Sequence, residues 1–488
     1  MDSAVRAFDY VVVGGGAAGA VLANRLSVQS EARVLLMEAG PPCDTDARVA
    51  DPERWATLQG TPLDWGLRTA PQPGLRNREL TVPQGRMLGG STAMNAMLWL
   101  RGDRGDFDGW NVPGRSADDL WPLFARIETP DSTGSGLTLT RLTGGHPWSR
   151  ALVQAARDAG HPVTSDFNLD GLRGAGYYTV SRRDGRRCSA WHGFLAPAAD
   201  RPNLTVLTGA EAQRLVLRGD RVTGVEYSRD GAVHRVEVEQ EVLLAAGAVG
   251  SPHLLHSSGV GPAGRLRELG LTPRIDLPGV GENLHDHIAV SITFTAAHKD
   301  PSDSRAGLGE AGLFVGDDTG ARFHLWLGPS TSPDGRTFTL AAGLTRPASR
   351  GRLHRRPDGV PQPDPGYLTA ASDLDDLVEA VSVIADLADE PALRALWDGP
   401  PPEVFKADAA AVAEYVRATA GSQAHLVGTC RMGTDEDAVV TPDLRVRGLA
   451  NVRVADASVM PAITTGGPQA TVYAIAEHAA GLVLGEHR

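Results

Sequence analysis

Three cysteines in 488 residues, Cys43, Cys188 and Cys430, are too few, too scattered and odd in number for a disulfide framework. Their scarcity fits a reducing compartment, and a cytoplasmic location is expected. Long hydrophobic runs are missing too. The early apolar run YVVVGGG is too short for a signal-peptide core and has no basic leader. No other stretch approaches the ~18 apolar residues needed to cross a bilayer, so no membrane partner is expected. A basic excess is also absent: 47 Lys and Arg against 59 Asp and Glu give a net charge of −12. That argues against a nucleic-acid partner and permits, without requiring, a cationic ligand. There are no sequence repeats and no extended low-complexity tract. What remains is ordinary globular material, 42% hydrophobic and 22% charged, enough for two or three domains or two large interleaved ones. Nothing in the pattern fixes an oligomeric state.

Phe8 to Val13 is a β-branched run ending in glycines, which predicts a buried parallel strand. Ala17 to Leu26 has helical spacing of small and apolar residues, and Arg33 to Met37 predicts a second buried strand, together a βαβ unit. From Pro41 to Pro83 the chain is rich in Pro, Asp and turn residues, and an excursion over the surface is expected. Residues 131–145 are expected to be a polar loop or linker. Asn203 to Glu241 reads as short alternating strands with turns at Arg218–Asp220 and Arg229–Gly231, and Glu241 to Ala246 as a further buried strand. Between 288 and 420 the pattern changes to alternating strands with helical patches such as 373–388, predicting a substrate-facing region around an antiparallel sheet.

Gly14, Gly16 and Gly19 form G-x-G-x-x-G between the first strand and its helix. The spacing permits a tight turn and close approach of a pyrophosphate, whose charge rests on the helix N-terminus. Gly14, Gly16, Ala18 and Gly19 are the expected cofactor contacts there. Glu38 ends the second strand, where a carboxylate can accept both ribose hydroxyls of an adenosine and disfavours a 2′-phosphate. The loop by itself does not separate NAD from FAD.

Four further stretches carry a resemblance. GRMLGGSTAMNAMLWLRGDRGDFD (Gly85 to Asp108) and GAVGSPHLLHSSGVG (Gly247 to Gly261) resemble the two signatures of the glucose–methanol–choline (GMC) oxidoreductases. LPGVGENLHDH (Leu277 to His287) and HLVGTCRMG (His425 to Gly433) are similar to that family in style and order. The likeness runs from Tyr10 to Ala479 and is weak only around 43–80 and 290–420. It implies an α/β fold with a Rossmann-like FAD-binding domain on a parallel sheet (1–150, 185–290 and 424–488). A substrate-binding domain (151–184 and 291–423) would have a mostly antiparallel sheet covered by helices. It also implies FAD rather than NAD. Gly89, Gly90, Ser91 and Thr92 can offer backbone and hydroxyl donors to a flat ring, and the resemblance lays them along the flavin with Asn95 facing it. A turn capping a helix at Ser91 or Thr92 is the alternative. Members with covalent flavin carry His just before that Asn; Met94 stands here, implying non-covalent FAD. Asp456 resembles an aspartate near the pyrophosphate and ribityl chain, and can equally N-cap the turn at Ala457–Ser458.

Alcohol oxidation needs a base for the hydroxyl proton, and histidine titrates in the right range. The resemblance selects His425 among the 14 histidines. Arg431 is expected in a structural salt bridge or supporting the flavin loop, and RRDGRRC (Arg182 to Cys188) in a structural or solvated role. His285 and His287 flank Asp286 on one side of an extended chain, but no third ligand follows, and no metal is expected. The family's second catalytic position, usually His or Asn, falls on Gln469 when aligned through the following A-T-V. Glutamine is no base, though its amide can donate to a substrate oxygen. The helix from Ala470 would point its positive end at the flavin. The expected reaction is oxidation of a small polar alcohol, such as a polyol or amino sugar, with O2 or another acceptor taking the electrons. The alternatives are a hydroxynitrile-lyase-type enzyme and a flavin-binding protein with little turnover.

Overall fold

The computed structural model describes residues 7–169, 171–298, 309–317, 319–328 and 336–486. Stretches 1–6, 299–308, 329–335 and 487–488, with positions 170 and 318, belong to the expected blocks but lie outside the described residues.

The first sheet is built on β1 (Ala7–Val13), β2 (Val34–Met37), β3 (Leu204–Leu207), β4 (Glu211–Arg218), β5 (Arg221–Arg229) and β6 (Ala232–Leu244), in the order β3-β2-β1-β6-β5-β4. β3, β2, β1 and the end of β6 are parallel, with Val11 opposite both Leu35 and Val242. β4, β5 and the start of β6 form an antiparallel extension. The short strand Val452–Val454 adds to β6 in parallel. The segment read as a separate strand at Glu241 is therefore the end of one long strand. β6 leaves a solvated antiparallel ribbon and enters the buried parallel centre, so its pattern changes from alternating to continuous.

Helix α1 (Ala17–Leu26) follows β1 as expected and presents small side chains that let it lie close to its neighbours. Helix α2 (Gly247–Ser257) follows β6. The second sheet runs through β7 (Ile288–Thr295), β8 (Ala311–Asp317), β9 (Gly320–Gly328) and β10 (Thr337–Leu344), in the order β7-β10-β9-β8, all antiparallel. Gly421–Ser422 edges β7, and Gly174–Tyr177 edges β8. Helix α3 (Ala371–Asp389) packs on one side of this sheet through Leu377, Val381 and Ile384. Helix α4 (Gln469–Leu484) is buried from Ala470 through Gly481, as an apolar, small-residue helix must be. Its one buried carboxylate, Glu477, is held by Arg25 of α1 at 3.0 Å and by Arg126 at 3.2 Å.

One core gathers β1, β2, β6, α1 and α4; a second gathers β7–β10 and α3. The 41–83 segment is not only a surface excursion: Leu58 joins the first core, and Leu75 and Leu80 join the second. Among the described residues no helix is long and apolar enough to cross a membrane.

Candidate active site

At the nucleotide end, Gly14 has φ +103°, and a Cβ there would lie 2.5 Å from the Ala245 carbonyl oxygen. A Cβ on Gly19 would lie 1.8 Å from the Gly14 carbonyl oxygen, so α1 can sit this close to the turn only with glycine at both places. Gly16 is the N-cap of α1 and no side chain caps it, leaving first-turn N–H groups, with buried Ala18 among them, for an anion. Glu38 is buried, and accepts the Gly15 and Gly40 N–H groups at 2.8 Å each, one per oxygen. Burial pushes its carboxyl up to about 7, against the pull of those amides and of Arg86. It stands beside the loop with lone pairs left for ribose hydroxyls.

The second glycine loop meets the first. A Cβ on Gly90 would lie 2.7 Å from the Gly16 Cα, so the two loops touch backbone to backbone. Gly89 N-caps the short turn Gly90–Ala93, and neither Ser91 nor Thr92 caps a helix. Ser91 Oγ donates to Gln84 Oε1 at 3.1 Å, and Thr92 Oγ1 donates to the Gly89 carbonyl at 2.6 Å. The hydroxyls expected to face a flavin are thus spent within the protein, and the loop offers backbone. Asn95 Oδ1 accepts from Met97 N–H and from Arg187 Nη1, both at 3.0 Å, and its Nδ2 donates to Gln469 Oε1. Arg187 is buried and binds the Val49 carbonyl at 3.0 Å and the Asn95 carbonyl at 2.6 Å, clamping this loop from beneath. Burial moves its guanidinium down to about 10. The run RRDGRRC gave no sign that one of its four arginines points inward.

Asp456 takes the capping role. Its Oδ1 accepts from Ser458 N–H at 2.9 Å and Ser458 Oγ at 2.5 Å, its Oδ2 from Gly247 N–H at 2.8 Å and Ser251 Oγ at 2.5 Å. Both oxygens are filled by protein donors, so the side chain expected to bind cofactor instead ties the turn to the start of α2. Arg431 pairs with Asp435 at 2.6 Å, the structural salt bridge expected of it.

The reacting end is organised around His425. Its backbone N–H donates to Asp286 Oδ1 at 2.6 Å. Asp286 is itself buried, held by Tyr367 Oη at 2.5 Å and by Ser422, and burial raises its carboxyl to about 6. His425 Nδ1 lies 3.0 Å from His287 Nδ1, and His287 Nε2 lies 3.0 Å from the Thr345 carbonyl oxygen. Burial moves His287 down to about 4 against the pull of the Thr345 and Thr464 carbonyls, so it is neutral at pH 7. A carbonyl only accepts, so the proton of His287 is on Nε2 and its Nδ1 is a lone pair. His425 must then donate from Nδ1, which leaves its Nε2 bare. The tautomer is assigned from the hydrogen-bond network. Burial, then His287 and His324, hold His425 well below the usual histidine range.

His285, by contrast, binds the Asn283 carbonyl at 2.6 Å and accepts the Ile463 N–H at 2.9 Å, bracing the loop that reaches α4. Asp106 braces the same loop through Thr465 N–H and Oγ1, both at 2.7 Å. Among the described residues, no three His, Cys, Asp or Glu side chains are grouped to hold a metal.

That loop decides what faces the base. A Cβ on Gly467 would lie 3.3 Å from His425 Cε1 and 3.4 Å from Nε2. Gln469, expected opposite His425, is the first residue of α4, with its Oε1 on Asn95 and its Nε2 buried without a protein partner. The helix begins after Pro468, so the residue set against the imidazole comes from the loop before it and carries no side chain. The orphaned amide of Gln469, the touching glycine loops and the Glu38 carboxylate fit a bound flavin dinucleotide. Ala470 is buried behind them.

The GMC oxidoreductase N- and C-terminal family models match residues 8–289 and 347–476. Over 98% of its length the chain is 34% identical to an alcohol dehydrogenase (acceptor) of Pseudomonas putida, covering 96% of that protein. It is also 34% identical to an oxygen-dependent choline dehydrogenase of Pseudomonas aeruginosa, over 98% of this chain and 95% of the relative. The crystal structure of pyridoxine 4-oxidase from Mesorbium loti superposes with a TM-score of 0.91 at 32% identity, covering 99% of this chain and 100% of that one. The chain belongs to the GMC oxidoreductase family and is a FAD-dependent alcohol oxidoreductase.

Proposed function

We propose that this protein oxidises an alcohol to the aldehyde or ketone with His425 as general base. The observation that carries the reading is the bare Nε2 of His425, fixed by His287 and lying beside the side-chain-free Gly467. Non-covalently bound FAD supplies the two-electron acceptor for the carbinol hydride. The hydroxyl proton passes to His425 Nε2 as the C–O bond becomes C=O, so atoms and electrons balance. Asn95 and Gln469 orient one another at the flavin side, and the Gln469 Nε2–H is available to an acceptor there. The block 1–150, 185–290 and 424–488 would hold the cofactor, with 151–184 and 291–423 enclosing the substrate. Either O2 or another acceptor reoxidises the enzyme.

Anaerobic mixing with an alcohol panel tests the reading: the bound flavin should bleach. A flavin that stays oxidised with every alcohol sinks it in favour of a lyase or a non-turning flavoprotein.

Two further outcomes are expected. His287→Phe removes the acceptor for His425 Nδ1–H, and should slow flavin reduction roughly tenfold, a loss of about 1.4 kcal/mol of barrier lowering. FAD content should stay unchanged, and an unaltered rate would dismiss the tautomer assignment. A base works only when unprotonated, and the His425 pKa is depressed. The reductive rate should therefore stay level as pH falls through 6.5 and drop only below it. A stopped-flow pH profile with an acid limb centred at 6.5 or above contradicts this.

A further inference from the structure

The second sheet has two unlike faces. Residues directly opposite on a ladder share a face, so the register places Val290, Ala342, Leu325 and Leu313 together in the core under α3. The other face carries Gly343, His324 and Phe314 in one row, and Ala341, Trp326 and Gly312 in the next. That face ends at the base: His287 precedes Ala289 by two residues, on the same side, and its ring meets His425 with centroids 5.2 Å apart.

Small residues flatten this face and leave rings as its relief. His324 stacks on Phe314 with centroids 4.2 Å and planes 3° apart, and Trp326 lies 5.2 Å from His324. Tyr178 Oη is 2.6 Å from His324 Nε2. A Cβ on Gly312 would fall 1.9 Å from the Tyr178 hydroxyl, and one on Gly343 2.1 Å from the Gln423 amide nitrogen. Both side chains lie down on the sheet because those positions are glycine. Phe314 and Tyr178 are buried, whereas His324, Trp326, Gln423, His425 and Gly467 keep part of their surface. This partly exposed row of rings runs up to the base.

The chemistry of that face is neutral. Burial holds His324 at about 3 and His287 at about 4, so neither carries charge near pH 7. Asp286 and Asp106, the carboxylates bound to His425 and to the adjoining loop, are occupied by Tyr367, Ser422, Thr465 and Arg346. A quaternary ammonium needs several open ring faces or a carboxylate. Here His324 covers Phe314 and Tyr178 is fully buried.

We propose that this face selects a neutral aromatic primary alcohol, with its ring against Trp326 and His324 and its carbinol at His425 Nε2. The proposal rests on the alcohol-oxidation reading above and narrows it. Aromatic contacts of this kind add specificity beyond buried area. The test is anaerobic flavin reduction by the wild-type holoenzyme with benzyl alcohol, cyclohexylmethanol and choline. Benzyl alcohol should exceed cyclohexylmethanol in second-order rate constant by about tenfold, and choline by more. In Trp326→Leu the preference for benzyl alcohol over cyclohexylmethanol should shrink to about twofold. If cyclohexylmethanol or choline reduces the flavin as well as benzyl alcohol, the aromatic proposal is overturned while alcohol oxidation stands. If none of the three reduces it, the aromatic proposal is overturned, and the wider alcohol panel decides the oxidation reading. The wild-type comparison decides even if the Trp326 variant fails to fold.

Discussion

His425→Ala should retain FAD and lose about 10²–10⁴-fold in the rate of flavin reduction, the usual contribution of a positioned general base. That range corresponds to about 3–5 kcal/mol of activation free energy. The size follows from how completely the structure prepares this one nitrogen. The His425 backbone is pinned by Asp286, its Nδ1 is consumed by His287, and its Nε2 has no protein partner among the described residues. Gly467 passes beside the same point and carries no side chain. The variant leaves the glycine loops and Glu38 untouched, so the flavin spectrum should be preserved. Stopped-flow reduction under anaerobic conditions measures the effect. A fall of less than about tenfold in a variant with full flavin content would move the base elsewhere.

Much of the nucleotide-binding half was legible because its signals are local. β-branched residues running into glycines gave β1, and α1 ran from Ala17 to Leu26 as its pattern predicts. The start of α4 after Pro468 also followed from its punctuation. The contacts that make the site are not local. Asn95 meets Gln469 across 374 residues, and His287 meets His425 across 138. Spacing of motifs along the chain carries no information about such meetings. Gln469 shows the limit: its partner is Asn95, while Gly467, two positions earlier, lies against the imidazole. A glycine there advertises no chemistry. Ser91 and Asp456 show the converse, since a polar side chain in the right motif can be engaged by its protein neighbours. Arg187 was hidden for a third reason, because in sequence a buried arginine among exposed ones looks like them.

Gly19→Ala should abolish stable FAD binding and lower the melting temperature of the chain. An added Cβ would sit 1.8 Å from the Gly14 carbonyl oxygen and 3.3 Å from Leu36 Cδ1. The first contact is with backbone, which cannot rotate aside as a side chain can. Gly14 is itself confined, since a Cβ there would lie 2.5 Å from the Ala245 carbonyl oxygen and its φ of +103° is a glycine conformation. Relief must come from α1 moving off the turn, and that motion withdraws the first-turn N–H groups from the place where a pyrophosphate would sit. It also opens the contact between Gly16 and Gly90, so the flavin-side loop loses its support in the same step. Overpacking of this kind costs about 1–3 kcal/mol, and the upper end corresponds to a loss of roughly a hundredfold in affinity. Purified variant should therefore carry little flavin by its visible absorbance, with only partial recovery on adding excess FAD. Full flavin occupancy in Gly19→Ala would mean that the dinucleotide lies elsewhere than on this loop.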